Sequence, residues 1–185
     1  VIDSKNGNNV PASGGAAPSP TAKVGARSGA FDGVSGRITL GTPALGSNPF
    51  SVCLWMRSSA TNRCAVISSY SAGNPYFAVE LNSDGLGGYS AGQVAFILFN
   101  GVTTRVATSS RKGLNDGQWH HIIAMRNSYG QAILYVDGDQ VGAVNLGAGF
   151  GDIGGATPTV AANGAGGGLY YNGLIDEVAI FTHDL

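Results

Sequence analysis

Hydrophobic and polar residues alternate along most of this chain, and the segment 50–57 shows this most clearly. Its apolar residues fall on one side: Phe50, Val52, Leu54 and Met56. A period of two residues is typical of a β-strand with one buried face. Further strands are predicted at residues 30–34, 36–40, 64–69, 76–82, 93–100, 102–108, 118–126, 131–136, 140–145 and 174–181. Many short strands, with no capped helical segment between them, predict an all-β fold, an antiparallel two-sheet β-sandwich of the jelly-roll type.

A tight hairpin is predicted around Asp137-Gly138, which follows the run Leu134-Tyr135-Val136 and precedes a second run at 140–145. Two strand runs joined by a two-residue Asp-Gly turn are the strongest local hairpin signal. This segment is therefore predicted to form an antiparallel hairpin.

Two stretches interrupt the alternation. Residues 1–27 are small and polar and predict an ordered but irregular lead-in, and the Gly-rich residues 147–168 predict a long surface loop around a short strand at 152–154. A length of 185 residues suits one β-sandwich domain spanning 1–185 with a sizeable core.

Charge and hydropathy narrow the classes of partner. Only 11% of residues are charged and the formal net charge is −1, against a usual charged share of about 25%. Such a chain has no field for binding nucleic-acid phosphates, and no apolar run is long enough for a transmembrane helix. A weakly charged, glycine-rich surface favours an extracellular, cell-surface or virion-surface location.

The two cysteines, Cys53 and Cys64, lie on neighbouring predicted strands. If Ser58 and Ser59 centre a hairpin loop, the register places Cys53 opposite Cys64 and keeps the apolar residues on one face. This register predicts a cross-strand disulfide, which an oxidising compartment would maintain. Two buried free thiols are the alternative.

Three motifs occur in order along the chain: N-D-G-Q-W-H-H-I-I at 115–123, L-Y-V-D-G at 134–138, and N-G-L-I-D-E-V-A-I-F at 172–181. This order resembles the laminin-G-like branch of the concanavalin A-like lectin/glucanase superfamily, with its D-G-x-W-H-H-V-A, L-Y-V-D-G and G-x-I-D-E-V-x-I-Y pattern. The resemblance runs from Asp3 to Phe181 and implies the same jelly-roll sandwich. The family's first strand and last helical turn are missing, so we expect a domain of a larger protein or assembly.

Catalytic chemistry is not expected. His120 and His121 are adjacent on a strand, so their side chains point to opposite faces, and we expect one to pack inside and one to meet water or a loop. A glycosidase needs two carboxylates on either side of one bond, but Glu80 is isolated and Glu177 follows Asp176 directly. The G-x-S-x-G sequence at 88–92 is not followed by a predicted helix, so no nucleophile elbow is expected. The prediction is a protein that is not an enzyme.

One structural Ca²⁺ is a possible cofactor, because hard cations prefer clustered carboxylate and amide oxygens and the resemblance brings the last strand near the start of the chain. The candidate ligands are Asp3, Asn6, Asn8, Asp32 and Asp176. The alternative is that these side chains cap turns through local hydrogen bonds.

Aromatic and cationic side chains near predicted turns are candidates for stacking on, and hydrogen bonding to, a sugar. They are Trp55, Arg57, Tyr70, Tyr76, Tyr89, Arg105 and Tyr129. The alternative is that Trp55 belongs to the framework and the tyrosines cover sheet edges.

Two functions of different class remain. The first is a non-enzymatic lectin-like recognition or adhesion module that binds a glycan or a protein surface through loops at one rim of the sandwich. The second is a structural or assembly protein, such as a virion decoration, tail or filament subunit, which associates with copies of itself and has no small ligand.

Overall fold

A computed structural model describes residues 12–154, 157–164 and 167–185 of the protein. Within these ranges the chain forms strands and turns only, so none of it is a helix long and apolar enough to span a membrane. The strands are β1 (Ala12–Ser13), β2 (Ala17–Ser19), β3 (Ser28–Asp32), β4 (Arg37–Thr39), β5 (Phe50–Arg57), β6 (Cys64–Ser68), β7 (Tyr76–Ser83), β8 (Tyr89–Phe99), β9 (Thr104–Thr108), β10 (Trp119–Arg126), β11 (Gln131–Val136), β12 (Asp139–Asn145), β13 (Thr159–Val160) and β14 (Asn172–Phe181).

Two seven-stranded antiparallel sheets form a sandwich, as predicted. The first sheet has the order β1-β4-β13-β6-β7-β8-β9, and the second sheet has the order β12-β11-β10-β5-β14-β3-β2. Strands that are distant in sequence are neighbours in each sheet, so residues far apart along the chain share a surface.

The core lies between the two sheets and explains the period of two. Phe50 and Leu54 from β5 face Phe77 and Phe96 from the first sheet, and all four side chains are fully buried. The rings of Phe50 and Phe77 are 5.5 Å apart between centroids. Each such side chain contributes about 1.5–3 kcal/mol through removal from water, so the alternate positions hold the layers together.

The last strand, β14, occupies a central position in the second sheet between β5 and β3. Its ladder with β5 is interrupted by a bulge between Asp176 and Ala179, where Glu177 adopts a φ of +49°. A bulge of this kind redirects the side chains around it.

The predicted hairpin is confirmed between β11 and β12. Asp137 and Gly138 have φ angles of +54° and +92°, as a type I′ turn requires at its two central positions. Val136 and Asp139 form the closing pair of the ladder.

The predicted disulfide is wrong. Cys53 lies on β5 in the second sheet, opposite Ile123 and Ala179, whereas Cys64 lies on β6 in the first sheet, opposite Leu81. Both thiols are free. Cys64 points into the core and Cys53 points out of the sandwich, because the chain crosses from one sheet to the other instead of turning back on itself.

The lead-in and the long loop also differ from expectation. Residues 1–11 lie outside the described residues, but β1 and β2 follow them and add one short edge strand to each sheet. Residues 152–154 form no strand. The strand of the long loop is β13, which fills the position between β4 and β6.

Candidate ligand-binding cleft

A solvent-open cleft of about 460 Å³ lies on the outer face of the first sheet. Tyr76 and Ile97, which alternate with core residues, line it, and both belong to a small apolar cluster with Ala78, Ala95 and Val106. The same alternation that fills the core therefore places a second, smaller apolar surface on the outside of this sheet.

Two loops raise the walls of the cleft above that surface. The loop 84–88 contributes Leu86, and the loop between β13 and β14 contributes Asn163 and Leu169. Gly85 has a φ of +80°, and a Cβ at this position would collide with the Val106 side chain. Glycine at position 85 is therefore needed to bring the loop down onto the sheet.

A bidentate ion pair between Arg63 and Glu80 closes one side of the cleft. Arg63 donates from Nε to Oε2 of Glu80 at 2.8 Å and from Nη2 to Oε1 at 2.9 Å. The Glu80 side chain is only 3% exposed, and that of Arg63 is 25% exposed. Because bidentate geometry fixes both planes, the pair is a rigid part of the wall.

Further hydrogen bonds use the remaining polar atoms of this pair. Ser83 donates to Oε2 of Glu80 at 2.5 Å, and Nη1 of Arg63 donates to the Gly87 carbonyl at 2.9 Å. The hydrogen bond to Glu80 raises the pKa of Arg63 above its already high value, so the guanidinium is always charged.

Aromatic rings line the other side of the cleft. Tyr70 meets Tyr76 edge to face with ring centroids 5.1 Å apart, and Tyr76 lies 5.5 Å from Phe99. Burial, and then the charge of Glu80, raise the pKa of Tyr76, so its phenol is a neutral hydroxyl near neutral pH. Tyr70 is 39% exposed and offers a ring to a ligand.

The backbone around Tyr70 is held by the neighbouring loop. The Tyr70 amide donates to the Ser68 hydroxyl at 3.0 Å, and that hydroxyl donates to Oδ1 of Asn163 at 3.0 Å. The Nδ2 group of Asn163 has no acceptor among the described residues, and Thr104 contributes a hydroxyl nearby. These neutral polar groups surround an apolar base, which suits binding.

The described lining of the cleft does not match a glycosidase site. Its one carboxylate, Glu80, is bound to Arg63, whereas glycoside hydrolysis requires a second carboxylate across the bond. No group of three His, Cys, Asp or Glu side chains that could hold a metal ion occurs anywhere in the described residues.

Of the seven predicted ligand-binding residues, the structure brings Tyr70 and Tyr76 together in the cleft. Trp55 lies on the outer face of the second sheet, where its ring is 4.8 Å from that of His121 and 4.4 Å from Nζ of Lys23. Arg57 donates from Nε to the Gly117 carbonyl at 2.6 Å. Both side chains therefore have structural partners on the opposite side of the molecule.

The other three predicted residues lie apart from the cleft and from each other. Tyr89 is 58% exposed at the first position of β8, and Tyr129 is 87% exposed in the turn between β10 and β11. Arg105 donates from Nε to the Leu146 carbonyl at 3.1 Å, which ties the edges of the two sheets together.

The predicted calcium ligands do not assemble among the described residues. Asp32 accepts hydrogen bonds from the amides of Val34, Ser35 and Gly36, and these bonds hold its pKa well below the usual range. Asp176 accepts from the amides of Lys23 and Val24 instead.

Asp32 and Asp176 also lie about 13 Å apart along the sheet by strand rise, since Asn172 is the partner of Asp32 in the ladder. Asp3, Asn6 and Asn8 lie outside the described residues. Asp32 thus caps its own turn, as the alternative interpretation describes, whereas Asp176 binds backbone that is distant in sequence. The calcium site stays a prediction.

The two histidines point to opposite faces of β10, as their spacing predicts. His120 is buried, with Nδ1 2.9 Å from Oδ2 of Asp137 and Nε2 3.2 Å from Oδ1 of Asp116. His121 lies outside against Trp55. The buried histidine links the β11–β12 turn to the start of β10 and has a structural role.

Arg63, Glu80, Leu86, Thr104, Asn163 and Leu169 were not predicted as site residues. One sequence signal could have found Glu80: it is an ionisable residue in a strand whose neighbours Val79 and Leu81 are core residues. A carboxylate in such a strand needs a fixed partner. That partner, Arg63, is recognisable only once the sheet order is known.

Comparison with solved structures gives the same fold at low identity. One similar structure is domain 4 of AbnA, an extracellular GH43 arabinanase from Geobacillus stearothermophilus, solved in complex with arabinotriose. It has a TM-score of 0.73 and 20% identity, and the match covers 94% of the present protein and 78% of the arabinanase chain. The LG4-5 domains of the mouse laminin alpha1 chain have a TM-score of 0.64 and 19% identity, and cover 85% of this chain and 43% of that chain.

The binding domain of botulinum neurotoxin DC, solved in complex with SialylT, has a TM-score of 0.69 and 15% identity. The match covers 96% of the present protein and 43% of the neurotoxin chain. A search of curated protein sequences finds no significant match. A family profile, in contrast, matches residues 32–185. The chain therefore belongs to the concanavalin A-like lectin/glucanases superfamily, as a laminin G-like domain.

Proposed function

We propose that this protein is a non-enzymatic carbohydrate-binding module and that the cleft on the outer face of the first sheet holds the glycan. The observation that carries the proposal is the combination in one cleft of a part-exposed tyrosine ring, an apolar base and neutral hydrogen-bonding groups.

This combination matches the chemistry of a sugar ring. The C–H face of a sugar packs on an aromatic ring, here that of Tyr70, while its hydroxyls need donors and acceptors such as Asn163 and Thr104. A volume of about 460 Å³ lies within the usual range for small-ligand sites, about 300–1,000 Å³. One to three sugar units would fit.

The structural neighbours support the same class of ligand. The arabinanase domain was solved with arabinotriose and the neurotoxin domain with SialylT, although shared fold does not transfer function by itself. The extracellular arabinanase also supports an extracellular location for this chain. The proposed cleft lies on a sheet face, with the loop 84–88 and the loop between β13 and β14 as its walls. Binding through loops at one rim of the sandwich stays a prediction.

A glycan array followed by calorimetric titration of the best ligand tests this function. We expect binding of the wild-type protein in the millimolar to micromolar range, and a loss of about tenfold or more in the Tyr70→Ala variant, since stacking of this kind contributes about 1.5 kcal/mol. The matched control is Tyr129→Ala, which removes a more exposed tyrosine outside the cleft and should leave affinity unchanged.

A silent array would contradict the proposed function. If the protein also formed larger oligomers as its concentration rose, the assembly role would be supported instead. Equal losses in the Tyr70→Ala and Tyr129→Ala variants would place glycan binding outside the cleft.

A further inference from the structure

The charges of the cleft bear on which glycans it accepts, and this inference rests on the proposed function. Among the described residues that line the cleft, Arg63 and Glu80 are the charged ones. Their charges are opposite and lie 2.8–2.9 Å apart in a bidentate pair, so each cancels the field of the other at ligand distance.

Three of the five N–H groups of Arg63 already have acceptors within the protein. Nε and Nη2 donate to Glu80, and Nη1 donates to the Gly87 carbonyl. Recognition of a carboxylate or sulfate by arginine normally uses the planar fork of two N–H groups. Here the fork formed by Nε and Nη2 faces Glu80.

A second carboxylate lies close behind the pair. Asp84 accepts hydrogen bonds from the amides of Leu86 and Gly88 at 2.8 and 2.9 Å, and these bonds keep its pKa low. Because Asp84 is also near enough to act on the charge of Arg63, the wall around Arg63 carries a small negative excess. An anionic sugar would be repelled there.

The uncharged polar groups that line the cleft are suited to hydrogen bonding with sugar hydroxyls. Asn163 presents its amide, Thr104 its hydroxyl, and Tyr76 a phenol that burial keeps protonated. Neutral groups of this kind can donate to or accept from sugar hydroxyls in either direction.

We infer that the cleft selects uncharged glycans and rejects their uronic acid, sialylated and sulfated counterparts, because its own two charges are paired with each other. The ligand class is thus a neutral oligosaccharide of pentose or hexose units.

Paired glycans of identical backbone test this selectivity with the wild-type protein. Neutral oligosaccharides of galactose, glucose, mannose, xylose and arabinose are compared with carboxylated, sialylated and sulfated counterparts. We expect binding to a neutral member, affinity at least about tenfold weaker for its charged counterpart, and less than about a twofold change between about 50 and about 500 mM NaCl. Loss of that binding in Tyr70→Ala locates it in the cleft.

Three results would overturn the inference, and they are distinguishable. Equal or tighter binding of a charged counterpart that weakens with salt and is lost in Tyr70→Ala would refute the selectivity and keep the glycan site. Binding of charged glycans that Tyr70→Ala leaves intact would refute both. No binding to any glycan would also refute both.

A second variant tests the cause. Glu80→Gln keeps the shape of the side chain and leaves the charge of Arg63 unbalanced, so a folded variant should bind the carboxylated counterpart several-fold more tightly than the wild type does. The circular dichroism spectrum checks the fold. An unchanged preference in the folded variant would show that the ion pair is not what excludes anions.

Discussion

The outer face of each sheet carries an aromatic ring and a cation, but the ring is open to a ligand on one face and covered on the other. On the first sheet, Tyr70 is part exposed and lies across the cleft from an arginine whose charge is already paired. On the second sheet, Trp55 is covered by Lys23 and flanked by His121. Asp176 holds the Lys23 backbone in place. An aromatic ring and a cation thus make an open cleft on one face and a closed contact on the other.

This difference shows why residue type alone does not identify a site. The sequence marks both Trp55 and Tyr70 as candidates, because Trp55 lies on the face of its predicted strand opposite the apolar residues and Tyr70 lies near a predicted turn. What separates them is occupancy of the ring face: the protein's own lysine fills it in one case and solvent fills it in the other. A ligand can bind only where the protein has left the ring free.

The largest expected effect is on the first-sheet face, from Arg63→Ala. Removal of the arginine leaves the buried carboxylate of Glu80 without its partner, so we expect a loss of about 3 kcal/mol in the free energy of unfolding. Urea denaturation measures it.

The matched control for that change is Arg111→Ala. Arg111 pairs with Asp137, but the side chain of Arg111 is 43% exposed, so the expected loss is below about 1 kcal/mol. Similar losses in the two variants would show that the Arg63–Glu80 pair stabilises the fold no more than the exposed Arg111–Asp137 pair does.

Trp55→Ala should separate the two faces. We expect it to lower the free energy of unfolding by about 2 kcal/mol, because a half-buried indole loses its contacts with Lys23 and His121. Glycan affinity should stay within twofold of the wild type. Tyr70→Ala should instead weaken glycan binding and change the free energy of unfolding little. Calorimetry and denaturation of both variants measure the two quantities. Loss of glycan binding in Trp55→Ala would move the site to the second sheet.

Acid should weaken the second sheet through its hairpin. Burial opposes ionisation of Asp137, but hydrogen bonds from His120 and the His121 amide outweigh it and lower the pKa of this carboxyl. A lowered pKa stabilises the fold above the unfolded value of about 4 and loses that stabilisation as pH falls below it. Between pH 5 and pH 3, the free energy of unfolding of Asp137→Asn should therefore depend less on pH than that of the wild type. The control variant Asp139→Asn should keep the wild-type pH dependence.

The smallest expected effect is that of Lys23→Ala, which uncovers the Trp55 ring. An exposed cation–π contact contributes about 0.5 kcal/mol, so stability should fall by about that amount. The informative measurement is the glycan array. Its binding profile should match that of the wild type, because the proposed site lies on the first sheet. New binding in this variant would mean that Lys23 alone distinguishes the faces.

The strands were predictable because burial on one side leaves a period of two in the sequence. The bounds of β5 and β11 agree with the predicted segments, and the hairpin at Asp137-Gly138 follows from turn chemistry alone. That β5 and β6 belong to different sheets was not predictable in this way. Strands on opposite sheets face one core and show the same alternation as two strands of a hairpin, so Cys53 and Cys64 satisfied a register that does not exist.

The cleft was predictable only in part for a related reason. Tyr70 and Tyr76 are close in sequence and are placed together by one turn. Arg63, Thr104 and Asn163 come from separate segments, and only the sheet order brings them to one surface. Long-range pairing of this kind leaves no local pattern.

The central position of β14 has a consequence for how the molecule is made. Until residues 172–181 leave the ribosome, β3 and β2 have no neighbour joining them to β5, so the second sheet exists as two separate pieces. Apolar surface on both pieces stays uncovered during synthesis, when nascent chains aggregate most readily. The strand β14 therefore joins the two pieces of the second sheet, and a ribosome that stalls before residue 172 would release a half-built sandwich with uncovered apolar surface.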